Sequence, residues 1–180
     1  MGLERFSAAW REGYVTSVSA GENAREGASC VFCVLGAEPV DESTGVLCKS
    51  QFSYVVLNAF PYGSGHLLVV PRRHVGSLEE LEDEEYADFS LTWREAAVAL
   101  NRAYEPEGMN LGVNLGSAAG AGIPKHLHAH ALPRWNGDTN FMTTIGETRV
   151  LPESLHVTWQ KVHAHLSASS TRVRPVDSAS

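Results

Sequence analysis

The reading turns on residues 110–134, NLGVNLGSAAGAGIPKHLHAHALPR, where His126-Leu127-His128-Ala129-His130 sets three imidazoles two residues apart. Successive side chains on a β-strand point to opposite faces. A strand here therefore lines one face with His126, His128 and His130 and the other with Leu127, Ala129 and Ala131. One face is chemical and the other belongs to a core. Just upstream, Gly116-Ser117-Ala118-Ala119-Gly120-Ala121-Gly122 is a loop of small residues whose backbone amides can approach an anion closely. A single strand histidine is usually a packed residue, and a solvated face would draw on Thr, Lys or Glu. Three alternating imidazoles after a glycine loop, flanked by Lys125 and Arg134, point instead to phosphate chemistry.

Working outward, 180 residues with 43% hydrophobic content suit one domain with modest extensions. No run approaches the roughly 18 apolar residues of a membrane span. The amino-terminal MGLERFSAAWREGYV lacks the apolar region of a secretory signal, so a soluble, cytoplasmic protein without a membrane partner is expected. A formal net charge of -7 argues against nucleic acid as a partner, because nucleic acid is held by clustered Lys and Arg. A local nucleotide site is compatible with that charge. Cys30, Cys33 and Cys48 cannot pair completely, and Cys30-Val31-Phe32-Cys33 reads as metal or redox chemistry before a disulfide framework, with two buried reduced cysteines as the alternative.

Residues 46–48 and 53–57 read as short strands, the second rich in Val and Tyr. Residues 66–70 carry four consecutive apolar side chains, which predicts a central strand buried on both faces and ended by Pro71. Ser77-Leu78-Glu79-Glu80 has the form of a capping box. Leu78, Leu81, Phe89, Trp93, Ala96, Leu100 and Tyr104 then recur at helical spacing, predicting a long amphipathic helix over 77–104 that ends before Pro106. Residues 109–115 and 126–132 should be antiparallel neighbours joined by the glycine loop. Residues 139–145 are placed as a cover over the site. Leu151, Leu155, Trp159, Val162 and Leu166 predict a last helix, on which His156, His163 and His165 share no face and are read as surface residues. A short amphipathic helix over 3–12, a connector over 13–29, a turn at the cysteine pair and a disordered tail over 168–180 complete the reading.

The pattern His-φ-His-φ-His-φ-φ, with Leu57-Asn58 and Gly65-His66-Leu67-Leu68-Val69-Val70-Pro71 upstream, resembles the histidine triad (HIT) family of nucleotide-binding proteins. The resemblance covers about residues 30–165. The run Pro133-Arg134-Trp135-Asn136-Gly137-Asp138-Thr139-Asn140-Phe141 is similar to the branch that contains actinobacterial diadenosine tetraphosphate phosphorylases. It implies an α+β fold with a mainly antiparallel sheet, a long amphipathic helix and a C-terminal helix. The domain is then 30–167, preceded by an extension over 1–29.

The resemblance also assigns roles. His128 is the nucleophile that attacks the α-phosphorus to give a nucleotidyl-histidine, which a second acceptor releases. His130 and His66 donate to phosphate oxygens together with amides of the Gly120–Gly122 segment, and His126 completes the triad. Asn58 faces the ribose, Asn114 anchors the loop or meets the leaving phosphates, and Trp135 is a candidate for stacking on a second nucleotide. Tyr54, Val56, Leu57 and Phe60 would line an adenine slot. Many members carry Gln or Ser four residues before the first histidine, where this chain has Gly122; backbone amides or Ser117 would substitute. One HIT subgroup binds structural zinc at positions that here are Cys30, Cys33, His74 and His126, a set suited to closed tetrahedral coordination.

The implied activity is phosphorolysis or hydrolysis of a diadenosine polyphosphate, with orthophosphate or water as acceptor. Orthophosphate would be held near Lys125, Arg134 and Ser117. No organic cofactor is expected, magnesium would arrive with the substrate, and a homodimer is implied. A nucleoside phosphoramidase and a nucleotide-binding regulatory protein with little turnover are the alternatives.

Overall fold

Alternation of apolar side chains builds one antiparallel sheet with a different core on each face. The computed structural model describes residues 30–139, 145 and 153–167. In chain order the elements are α1 (Val31–Ala37), β1 (Val46–Lys49), β2 (Ser53–Leu57), β3 (Leu67–Pro71), α2 (Asp83–Tyr104), β4 (Gly108–Val113), β5 (Ala129–Arg134) and α3 (Leu155–Ser167). The strand order is β1-β2-β3-β5-β4, and every neighbouring pair is antiparallel. β3 is central and buried along its whole length, as its continuous apolar run requires.

On one face Val55, Leu57, Leu67, Val69, Ala129 and Ala131 pack under α2 and α3, against Phe89, Leu100, Val162 and Leu166. On the other, Tyr54, Val56, Leu68 and Val70 meet Phe32 and Leu35 of α1. Tyr54 is fully buried, and its hydroxyl donates to the Phe32 carbonyl at 2.7 Å. His130 pairs with Leu68 across β3 and β5, so the histidine face of β5 is the α1 face. The same period-two rule corrects the adenine slot: Leu57 lies in the α2 core, opposite Tyr54 and Val56, and the three cannot line one pocket.

Several boundaries differ from the sequence reading. Ser77 precedes only a three-residue 3-10 turn, Leu78–Glu80, and its hydroxyl donates to Glu80 Oε1 at 3.0 Å. The long helix begins at Asp83, capped by Glu82 and Glu85, whose carboxylate accepts from the Glu82 N–H at 3.0 Å. Arg73 holds that same Glu85 with two hydrogen bonds and also donates to the Glu80 carbonyl at 2.5 Å, so it ties the short turn to the start of the helix. Instead of a turn, the cysteine pair marks a helix start: Cys30 is the N-cap of α1 and Cys33 lies within it. β5 begins at Ala129, three residues after His126. His163 is also more than a surface residue: its ring stacks on Trp159 at 4.2 Å and its Nδ1–H donates to the Leu47 carbonyl at 3.0 Å. The expectations for residues 1–29 and 168–180, and nearly all of those for 139–145, lie outside the described residues.

Residues 58–66 form the connection that carries the site's first histidine. Gly65 adopts φ +76, and a Cβ there would lie 2.7 Å from Pro133 Cγ and 3.0 Å from Tyr104 Cε2. That close approach seats the loop on β5 and α2.

Candidate active site

His128 is buried at 5% exposure, between the ring of Phe32 at 5.0 Å and that of His130 at 5.2 Å. Its Nδ1 lies 2.8 Å from the His126 carbonyl. A carbonyl only accepts, so Nδ1 carries the proton and Nε2 keeps its lone pair. Burial pushes the His128 pKa down, which keeps the ring neutral near pH 7. An imidazole with one nitrogen fixed as a donor and the other free is prepared for nucleophilic attack.

The neighbouring tautomers follow from one backbone amide. Tyr62 N–H donates to His66 Nδ1 at 3.0 Å, and the Asn58 carboxamide also donates to that nitrogen at 3.2 Å. His66 must therefore be protonated at Nε2, which lies 2.9 Å from His130 Nδ1 and donates to it. His130 is left protonated at its own Nε2, which is buried and without a protein partner. Burial, and then the proximity of His128, pull the His130 pKa down to about 4. The result is a neutral histidine that offers a single unsatisfied N–H.

His66 and His130 line a cleft of about 560 Å³, with Asn114, Leu132 and Trp135 further along it. Trp135 is half-buried, edge-on to Tyr104 at 6.0 Å, so it packs on α2 while presenting to the cleft. Arg134 also lines the cleft, but its guanidinium is engaged by Asp138 at 2.5 and 2.6 Å and by Asn110 Oδ1 at 2.6 Å. That pairing holds the Asp138 carboxyl well below the usual carboxylate range. In the glycine loop, Gly116 and Gly120 adopt φ +78 and +87, and Ser117 is exposed. The Gly120 and Ala121 amides bond to Ser117 and Gly116 carbonyls, so Gly122 is the one of the three expected phosphate donors that this turn leaves out. Asn58, expected at the ribose, directs its carboxamide to Phe60 N–H at 2.9 Å and to His66.

A second cluster lies behind the triad. Cys30 Sγ is 3.3 Å from His126 Nδ1, and Cys33 Sγ is 3.3 Å from His74 Nδ1 and 3.7 Å from His126 Nδ1. The four ligand atoms all lie within 4.8 Å of one another. His126 Nε2–H donates to the Pro71 carbonyl at 2.9 Å, so Nδ1 faces the sulfurs with its lone pair. A backbone acceptor behind a ligating imidazole is the arrangement that orients metal-binding histidines.

The model of the HIT domain matches residues 41–137. The chain belongs to the HIT family. It is 43% identical over 118 residues to the AP-4-A phosphorylase of Mycobacterium tuberculosis, a match covering 66% of this chain and 60% of that one. It is 30% identical over 93 residues to the asymmetrical bis(5'-nucleosyl)-tetraphosphatase of Schizosaccharomyces pombe, covering 52% of this chain and 50% of that one. Among solved structures, a zinc-bound histidine triad family protein from Mycobacterium smegmatis superposes with a TM-score of 0.63 at 25% identity, covering 79% of this chain and 96% of that chain. This HIT chain thus spans less than two thirds of the length of each of these two curated relatives.

Within the HIT fold, the expected residues gather in two places. His66 and His130, with Asn114 and Trp135, border the cleft; His128 adjoins His130; and Cys30, Cys33, His74 and His126 form the metal-type cluster. Sequence reasoning missed Tyr62 and Ser64, both of which line the cleft. The available signal was their position in a loop that leads directly into His66.

Proposed function

We propose that this HIT protein is a nucleotidyl-transfer enzyme acting on the α-phosphate of adenine dinucleotides, foremost diadenosine tetraphosphate, through a nucleotidyl-histidine on His128. The observation that carries the reading is the His128 Nδ1–H bond to the His126 carbonyl, which leaves Nε2 as the nucleophilic nitrogen. Nε2 attacks the α-phosphorus, an N–P bond forms, the bond to the bridging oxygen breaks, and ATP departs. The His130 N–H donates to a phosphate oxygen as charge develops. An oxygen of orthophosphate then attacks the same phosphorus, the P–N bond breaks, and ADP leaves while the electron pair returns to Nε2. Water in place of orthophosphate would give AMP.

The identity to an AP-4-A phosphorylase supports orthophosphate as the acceptor. Arg134, tied to Asp138, is a poor candidate to hold it; Lys125, Ser117 and the Gly122 amide remain. Asn114, Gly120 and Trp135 are assigned to the nucleotide, and Asn58 to the ribose edge of His66. Cys30, Cys33, His74 and His126 would hold one structural zinc, whose chemistry is to fix two thiolates and two imidazoles in a closed set. Magnesium would enter only with substrate. A cytoplasmic homodimer completes the reading, and β4, at the edge of the sheet with Leu111 half-exposed, suits a surface shared by two copies.

The test is product analysis of diadenosine tetraphosphate incubated with and without orthophosphate. ADP plus ATP in its presence, and slower AMP plus ATP in its absence, is the expected result. Rates and products indifferent to orthophosphate would make the protein a hydrolase. Preferential cleavage of adenosine phosphoramidates would replace the substrate assignment.

A further inference from the structure

Two buried polar atoms with no protein partner belong to residues lining the same cleft: His130 Nε2 and Ser64 Oγ. The first is a donor by the tautomer chain that starts at Tyr62 N–H. The second is a hydroxyl, free to turn its proton toward any acceptor. Native structures leave few buried polar atoms unpaired, and two on residues that line one cleft mark a place where a ligand supplies the partner.

We propose that Ser64 is a substrate-contacting residue whose hydroxyl, together with His130 Nε2–H, binds an oxygen of the polyphosphate chain. A phosphate oxygen is an acceptor, so one kind of ligand atom satisfies both donors. The loop is built to hold the pair still. Asn58 N–H donates to the His66 carbonyl at 3.0 Å, Asn58 Oδ1 accepts from Phe60, and Gly65 is wedged against Pro133 and Tyr104. The ring of Tyr62 lies near parallel to that of His130, 14° apart at 5.9 Å, and shields the donor from one side. Tyr62 acts as a positioning residue through its amide, while Ser64 makes contact itself. The proposal rests on the reading of the cleft as a dinucleoside polyphosphate site.

The experiment has two arms on the full chain. Long-range proton–nitrogen NMR of labelled protein reads the imidazole tautomers directly, and His130 should be protonated at Nε2 in the wild type and in Ser64→Ala alike. Calorimetry then measures binding of a methylene-bridged, non-cleavable diadenosine tetraphosphate and of adenosine. Ser64→Ala should weaken the polyphosphate about tenfold, the size of one hydrogen bond to a charged acceptor, and leave adenosine within twofold, with the melting temperature unchanged. Equal loss for both ligands would move the contact to the nucleoside and overturn the proposal. Undiminished polyphosphate binding, or a His130 protonated at Nδ1, would overturn it as well. If the wild-type protein binds no polyphosphate at all, the reading of the cleft fails with it, an outcome distinct from failure of Ser64 alone.

Discussion

The chemistry of the triad rests on where two protons sit. His128 has its Nδ1 proton committed to a carbonyl, and His130, which lines the cleft, has its Nε2 proton buried without a protein partner. His128→Ala should therefore abolish turnover, while affinity for nucleotide stays within a few-fold because the side chain acts mainly on the reacting phosphorus. His130→Ala should lower kcat about 10²–10³-fold, measured by steady-state kinetics, as expected for a lost donor to developing charge, and His66→Ala should lower it by releasing the His130 tautomer that the His66 Nε2–H fixes. His130 also predicts a pH effect on stability. Its pKa falls from 6.5 to about 4 on folding, so the unfolded chain takes up the proton first as the pH drops. Its contribution is complete above about pH 6.5, declines between 6.5 and 4, and is gone below. Urea unfolding of wild type and His130→Gln at pH 7 and pH 4.5 should show the wild type losing on the order of 2 kcal/mol more across that interval. Equal losses would mean that His130 is solvated in the folded protein.

At the scale of elements, α1 and the 58–66 loop are the parts whose failure would disturb the site most. α1 carries Cys33 and places Phe32 against both His126 and His128. Cys33→Ser, or a strong chelator, should remove about one zinc per chain and lower the melting temperature by about 5–10 °C, read by metal analysis and calorimetry. A metal-free protein of unchanged stability would leave Cys30 and Cys33 as ordinary packed thiols. Gly65→Ala should cost about 2–3 kcal/mol, because the added methyl meets both a positive φ and Pro133; denaturant unfolding checks it. The strands were legible because their apolar runs follow the sheet's period. The helix start was not, because Ser77 with Glu80 and Glu82 with Glu85 both carry capping chemistry, and only the second pair is followed by a continuous α-helix. What Asn58 and Arg134 can offer a ligand is not legible either: their hydrogen-bond partners decide what each side chain has left. His74 is exposed and 41 residues from Cys33, so only the family resemblance could bring the metal cluster together on paper.

Across the whole molecule, the sheet serves as a partition. α2 and α3 supply most of the apolar packing on one face, which leaves the opposite face to the smaller α1 core, the cysteine–histidine cluster and the histidines of β5. The metal-type cluster and His128 are joined through His126, whose ring faces the sulfurs while its carbonyl fixes the His128 ring. On the proposed function a metal held there would support the histidine face without reacting, and the covalent step is the central claim. The direct measurement is to mix the protein with diadenosine tetraphosphate, quench in alkali, where P–N bonds survive, digest, and locate the adenylyl group by mass spectrometry. The account predicts an adenylyl group on His128 Nε2, formed together with ATP and absent from His128→Ala. An adenylyl group on any other residue, or full turnover by His128→Ala, would contradict it.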